Sequence, residues 1–314
     1  ESRGDIFFFF SENGFVKNIT RSTASNERYP SWSPDGNTVS YWSDESGEYN
    51  LWLASAGSDV APRKITNYYT GFRYNLFWSP DSKKLAFIDQ AMKIKMVDAA
   101  NGSTTDVDQA LRFMHGGCEG FSVSWSPDSR WFTYDRDLDN YHNAVYIYDT
   151  QNKKLQQVTD GFYNCNNPVF DTEGKYLYLT TNQNFTPYYS DIDNSFIYGN
   201  STQIAAISLK KSTPSILFAK NDTVAVKIDG DKKDDKKIIY QKFPNLGSDR
   251  DAKPALKYYD LDKREDKTIS DNINRYWLAA NGTKILAQRG NDYDIIKPDA
   301  DQKFEKPIRL NEME

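Results

Sequence analysis

Histidine and cysteine are nearly missing from this chain. Its 314 residues include two histidines, His115 and His142, and two cysteines, Cys118 and Cys165. Pairs this sparse match no zinc-ligand spacing. The cysteines lie 165 − 118 = 47 residues apart. They read as free thiols or, where geometry permits, as a bridge. No apolar run reaches the ~18 residues of a membrane-spanning helix. The longest cluster, IFFFF at 6–10, has the length of a strand. A basic excess is also lacking: 39 Lys and Arg stand against 44 Asp and Glu, net −5, which argues against a general nucleic-acid binder. There is no Gly-x-Ser-x-Gly elbow and no phosphate-cradling glycine loop. The chain begins with Glu1 and shows no signal peptide, so it reads as processed or trimmed.

What it has is aromatic side chains, 15% of residues with 21 Tyr and 18 Phe, and a repeat. WSPDG at 32–36 returns as WSPDS at 78–82 and again at 125–129. The spacings are 46 and 47 residues, and 45 more lead to FDTEG at 170–174, with a last echo, LAANG, at 278–282. Periods of ~40–50 residues belong to propellers and arrays. In the first unit PSWS (30–33), NTVSYWS (37–43), YNLWLAS (49–55) and RKIT (63–66) read as four strands joined by polar turns. The second and third units follow the same plan, and helix-type apolar spacing is absent from them. The expected fold is all-β: a β-propeller, seven blades of four antiparallel strands around a central channel.

Asp35, Asp81 and Asp128 recur in the turns. They could be taken for catalytic or metal-binding carboxylates, but Asp in such a turn ordinarily bonds its own backbone. The motif aromatic is expected to pack between adjacent blades, and its loss to cost roughly 3–5 kcal/mol. DRDLDN at 135–140 has calcium-like spacing but lacks the glycine and distal Glu of an EF-hand loop, so it reads as a polar hairpin. His142 is expected to be exposed in that hairpin. His115, in MHGGCEG at 114–120, precedes an inner strand. It reads either as lining the channel mouth, with a redox role conceivable, or as part of a plain glycine-rich loop.

Several stretches carry a family resemblance: RYPSWSPDGNTVSYWSDESGEYNLWLAS (28–55), RYNLFWSPDSKKLAFID (73–89), VTDGFYNCNNPVFDTEGKYLYLTTN (158–182) and LKYYDLDKRED (256–266). Units of this kind are shared by TolB-type propellers and the propellers of prolyl-oligopeptidase-like enzymes. Their order and loop lengths resemble the second, seven-bladed propeller of tricorn-type serine peptidases. The resemblance spans nearly the whole chain and weakens after about Thr213. It implies a non-catalytic propeller that gates or binds peptides through its channel, followed in the parent chain by PDZ and peptidase modules. No catalytic residue carries over to this chain, and no cofactor or metal is implied. Expected partners are peptides or unfolded protein and the other domains of the parent, which could form a homo-oligomer. A TolB-like protein-interaction propeller with no peptidase attached is the alternative. Relatives span periplasm and cytoplasm, and the processed N-terminus favours the periplasm.

The whole chain, 1–314, reads as a single propeller domain. Residues 4–20 read as two extra strands that either close the ring or remain from a preceding domain; closure would remove an exposed sheet edge. The run KIDGDKKDDKK at 227–237 reads as a solvated charged loop. The insertion NQNFTPYYSDIDNSFIYGNST at 182–202 reads as a long aromatic loop, either a recognition element or packing over its own blade. The candidate channel or recognition residues are therefore His115, Tyr188, Tyr189, Phe196 and Tyr198.

Overall fold

The repeated turn closes a hairpin, and its side chains account for its letters. Ser33 Oγ donates to Asp35 Oδ1 (2.5 Å) and accepts from the Thr38 N–H (3.0 Å), while Asp35 Oδ1 also accepts from the Asn37 N–H (3.0 Å). Ser79 with Asp81 and Ser126 with Asp128 repeat this, at 2.6 and 2.5 Å between hydroxyl and carboxylate. The three aspartates thus bond their own turns, as expected. The last turn position needs a left-handed backbone. Gly36, Gly174 and Gly282 supply it at φ 72°, 64° and 68°, and Ser82 and Ser129 adopt it at 58° and 59°.

The computed structural model describes residues 4–9, 16–22, 24–56, 60–112, 117–184, 187–190, 195–199, 201–216, 237–243, 253–279, 282–304 and 308–309. Every regular element among them is a strand. The chain forms two compact units, Glu1–Ser215 and Ile216–Glu314.

In the first unit, β1 (Phe7–Phe9) and β2 (Val16–Asn18) form an antiparallel pair, as expected for 4–20. Then β3 (Glu27–Trp32), β4 (Thr38–Ser43), β5 (Asn50–Ser55) and β6 (Arg63–Lys64) make a four-stranded meander. A second contains β7 (Phe77–Trp78), β8 (Lys84–Ile88), β9 (Lys93–Asp98) and β10 (Thr104–Gln109). A third contains β11 (Ser124–Trp125), β12 (Trp131–Asp137), β13 (Asn143–Asp149) and β14 (Lys154–Gln157). The fourth sheet starts with β15 (Cys165–Phe170) and β16 (Tyr176–Thr181). The insertion then interposes its own hairpin, β17 (Tyr188–Tyr189) with β18 (Phe196–Ile197), before β19 (Gln203–Ser208) pairs with β16. The insertion is thus partly strand rather than loop. In the second unit, β20 (Lys237–Lys242), β21 (Ala255–Asp260) and β22 (Glu265–Asp271) form one sheet. The other is β23 (Arg275–Leu278), β24 (Ile285–Arg289), β25 (Asp292–Ile296) and β26 (Ile308–Arg309). The charged run 227–237 lies outside the described residues except for Lys237, which opens β20.

Strand β8 shows why apolar runs appear where alternation would be expected of a half-buried strand. Leu85 and Phe87 pack with Trp42 and Leu51 of the preceding sheet, whereas Ala86 and Ile88 pack with Phe132 and Tyr134 of the next. Both faces are buried, so consecutive positions are apolar. A similar seam joins β13 to β15 and β16 through Val145, Phe170 and Leu177. In the second unit Leu256, Ile269, Ile285 and Ile296 join its two sheets.

The seams also carry directed hydrogen bonds. The Trp78 indole N–H donates to Ser31 O (3.1 Å), and the Trp125 indole donates to Phe77 O (3.1 Å). The turn serines work alongside them. Asp35 N–H donates to Ser82 Oγ (3.2 Å), and Asp81 N–H donates to Ser129 Oγ (2.9 Å). Trp32 departs from the expected packing: it is 50% exposed and stacks on Phe8 with ring centroids 4.4 Å apart. Cys118 and Cys165 are buried free thiols.

Candidate functional site

The meander order sorts the loops of the first unit by end. The Ser-Pro-Asp turns lie at one end of their sheets. The turns between second and third strands, and the links from one sheet to the next, lie at the other. That second end carries several strongly exposed aromatic residues, while Trp32 is half-exposed at the first.

Tyr69 in the link to β7 is 88% exposed, Tyr141 between β12 and β13 is 74%, and Phe162 in the link to β15 is 69%. The β17–β18 hairpin, which replaces the corresponding turn of the fourth sheet, adds Tyr189, Phe196 and Tyr198, all more than half exposed. Tyr189 and Phe196 meet edge-on at 5.5 Å, and Phe196 lies 6.5 Å from Tyr198. Three of the five residues singled out from the sequence are thus brought together on one hairpin. Tyr188 lies in β17 beside them, with its side chain outside the described residues. His115 lies outside the described residues altogether.

The rim is anchored from below. Arg112 lies 4.0 Å from the Tyr141 ring centroid and pairs with Asp137 at 3.0 Å. Asp137 also accepts from the Leu111 and Arg112 N–H groups, at 2.9 and 3.2 Å. Asn140 Nδ2 donates to Gly161 O (2.9 Å), and His142 Nδ1 lies 3.2 Å from the same oxygen. His142 is accordingly half-buried, not exposed as expected. The equivalent link before β7 is tied by Phe72 N–H to Gln90 Oε1 and Gln90 N–H to Phe72 O, both 2.9 Å. Gly71 (φ 99°) and Gly161 (φ 78°) make the left-handed bend before Phe72 and Phe162.

The ionisable groups beneath this end are committed to structure. Tyr134 donates to Asp108 Oδ2 (2.9 Å), and Arg136 Nε donates to the same oxygen (2.6 Å). Burial, followed by the Asp108 charge, drives the Tyr134 phenol far above its usual range. Asp135 is raised by burial, against the pull of the Asn167 N–H (2.9 Å) and Asn143 Nδ2 (3.2 Å). Among the described residues no group of three His, Cys, Asp or Glu could hold a metal. Exposed aromatic rings on turns offer amphipathic contact area at this end of the sheets.

The model of the tricorn protease second beta propeller domain matches residues 1–241. The chain belongs to this family. The tricorn protease of Thermoplasma volcanium is 27% identical over 218 residues, covering 67% of this chain and 20% of that protein. A tricorn protease homolog of Saccharolobus solfataricus is 20% identical, covering 95% of this chain and 29% of the relative. The chain thus spans less than a third of the length of these relatives. A crystal structure of tricorn protease shares the fold with a TM-score of 0.77 at 17% identity, over 98% of this chain and 33% of that one. The sheets within the matched residues therefore belong to a β-propeller domain.

Reading the sequence for letters alone missed Tyr69, Tyr141 and Phe162. Gly-Phe occurs at 71–72 and again at 161–162, each just ahead of a motif strand. Aligning the links as well as the turns would have exposed the rim.

Proposed function

We propose that this domain is the non-catalytic propeller of a tricorn-like serine peptidase and that its aromatic rim engages extended peptides on their way to a proteolytic site elsewhere. One observation carries the reading: exposed Tyr189, Phe196 and Tyr198, with Tyr69, Tyr141 and Phe162, gather at the loop end of blades whose other end is occupied by structural turns. Rings on fixed turns offer contact area with little side-chain entropy to lose, and they accept many sequences. In this reading the blades surround a central channel, the arrangement that the seven-bladed family resemblance implies. Such a channel would admit an unfolded strand and exclude folded protein.

The test removes the domain from its parent peptidase and compares cleavage of short and long peptides. Loss of length discrimination is expected. Unchanged discrimination would count against gating, and an isolated chain that captures a folded protein but no peptide would favour an interaction propeller instead.

A further inference from the structure

Arg28 stands apart from the other arginines. It lies on β3 at the end that carries the rim, paired across the sheet with Trp42. Its guanidinium rests 5.7 Å from the Phe72 ring centroid. Tyr29 and Tyr49 meet the same ring at 6.0 and 5.4 Å, both edge-on. Yet the Arg28 side chain makes no hydrogen bond or ion pair among the described residues, and its Nε is buried without a partner.

The other buried or half-buried arginines are all engaged. Arg73 donates to Thr70, Gly71 and Tyr49 carbonyls at 2.9, 2.7 and 2.9 Å. Arg112, Arg130 and Arg136 pair with Asp137, Asp149 and Asp108. Arg289, whose Nε is likewise buried without a partner, still donates through Nη2 to Ser270 Oγ and Asp271 O. A guanidinium is always charged, and a part-buried one with no acceptor calls for an external one.

The backbone beside it carries a bulge whose counterpart in β15 lies at Asn167, ahead of Pro168. The β3–β4 register shifts between Arg28 and Ser31, and Tyr29 takes φ 53°, a left-handed setting that a bulky residue rarely adopts, ahead of Pro30.

We propose that Arg28, held against Phe72, binds a carboxylate of the peptide that the rim engages. The inference rests on the peptide-binding reading above. A planar fork of donors matches a carboxylate two-to-two, and the neighbouring rings exclude water from the pair. The carboxylate comes either from a peptide C-terminus or from an Asp or Glu side chain.

Fluorescence anisotropy on the 314-residue chain separates these cases. Three N-terminally labelled decapeptides would share one uncharged sequence: a free acid, its C-terminal amide, and the amide with one internal Glu. Wild type is expected to bind the free acid at least tenfold tighter than the amide. If the Glu peptide matches the free acid, side-chain carboxylates are taken too; if it matches the amide, the terminal group is required. R28Q should bring all three peptides to the amide's affinity, and R28K should restore part of the preference. A thermal melt checks that both variants are folded, and the wild-type comparison stands without them. Equal binding of all three peptides by wild type, or a preference surviving in R28Q, overturns the carboxylate site and leaves the peptide-binding reading intact. No binding of any peptide overturns both.

Discussion

Replacing Ser129 by alanine should destabilise the propeller, whereas replacing it by glycine should not, because the two substitutions remove different parts of what holds the turn. Ser129 sits at φ 59° where Gly36, Gly174 and Gly282 occupy the corresponding position, and its hydroxyl accepts the Asp81 N–H at 2.9 Å across the seam. A left-handed setting costs a residue with a Cβ about 1 kcal/mol relative to glycine. The hydrogen bond returns a similar ~1 kcal/mol net, more if the Asp81 N–H is left without water. S129A keeps the strain and loses the bond, so it should destabilise by about 1–2 kcal/mol. S129G loses both and should lie within ~0.5 kcal/mol of wild type. The same pair at Ser82, where the bond is longer (3.2 Å) and exposed, should show a smaller alanine penalty. In a unit of this size 2 kcal/mol corresponds to roughly 4–8 °C in Tm. Differential scanning calorimetry and urea titration read the effect. Alanine variants as stable as their glycine counterparts would refute the strain-for-bond exchange.

Trp42 is fully buried, donates to Tyr74 O (2.8 Å) and meets Phe87 edge-on at 5.0 Å. W42A should cost ~3–5 kcal/mol and W42F about 1–3 kcal/mol, since phenylalanine keeps the ring contact but strands the carbonyl; urea midpoints would check both. Arg130, helped by the Gln151 and Asn152 N–H groups, holds the Asp149 carboxyl far below its usual range. A lowered carboxyl stabilises the fold above the unfolded pKa of ~3.9 and loses that contribution as pH falls below it. D149N should therefore be less stable at pH 7 but fall more shallowly than wild type between about pH 4 and 2; parallel stability curves would contradict this. The Cys118 thiol is pushed up to about 11, first by burial and then by the Glu119 and Asp89 charges. Iodoacetamide at about pH 8, below the ordinary thiol pKa of ~8.5, should leave it unlabelled until the protein unfolds, and mass spectrometry would show any early adduct.

The blade plan was legible because turn chemistry is local. Ser33 and Asp35 bond within their own turn, so their letters declare it wherever it occurs. The Gly-to-Ser exchange at Ser82 and Ser129 was legible as a repeat, but its reason was not. That reason lies 47 residues away at Asp35 and 48 away at Asp81. Trp32 shows the same limit. Its motif is the fullest of the set, yet its ring meets Phe8 and half of it stays exposed, a matter of which strands stand beside it. Tyr189, Phe196 and Tyr198 were found from composition, since a long insertion rich in rings is conspicuous. Arg28 was invisible: nothing in RYPSW tells that its guanidinium will find no acceptor.

Both motif-tryptophan seam bonds point back along the chain, with Trp78 reaching to Ser31 and Trp125 to Phe77. During synthesis a blade therefore leaves the ribosome lacking the indole donor that will clasp it, and waits for about one further repeat to emerge. At ~5–20 residues per second that delay is roughly 2–10 seconds. Each newborn sheet spends it with an uncovered apolar flank, so a nascent chain of this kind has a recurring window in which holding chaperones or wrong neighbours compete for the same surface.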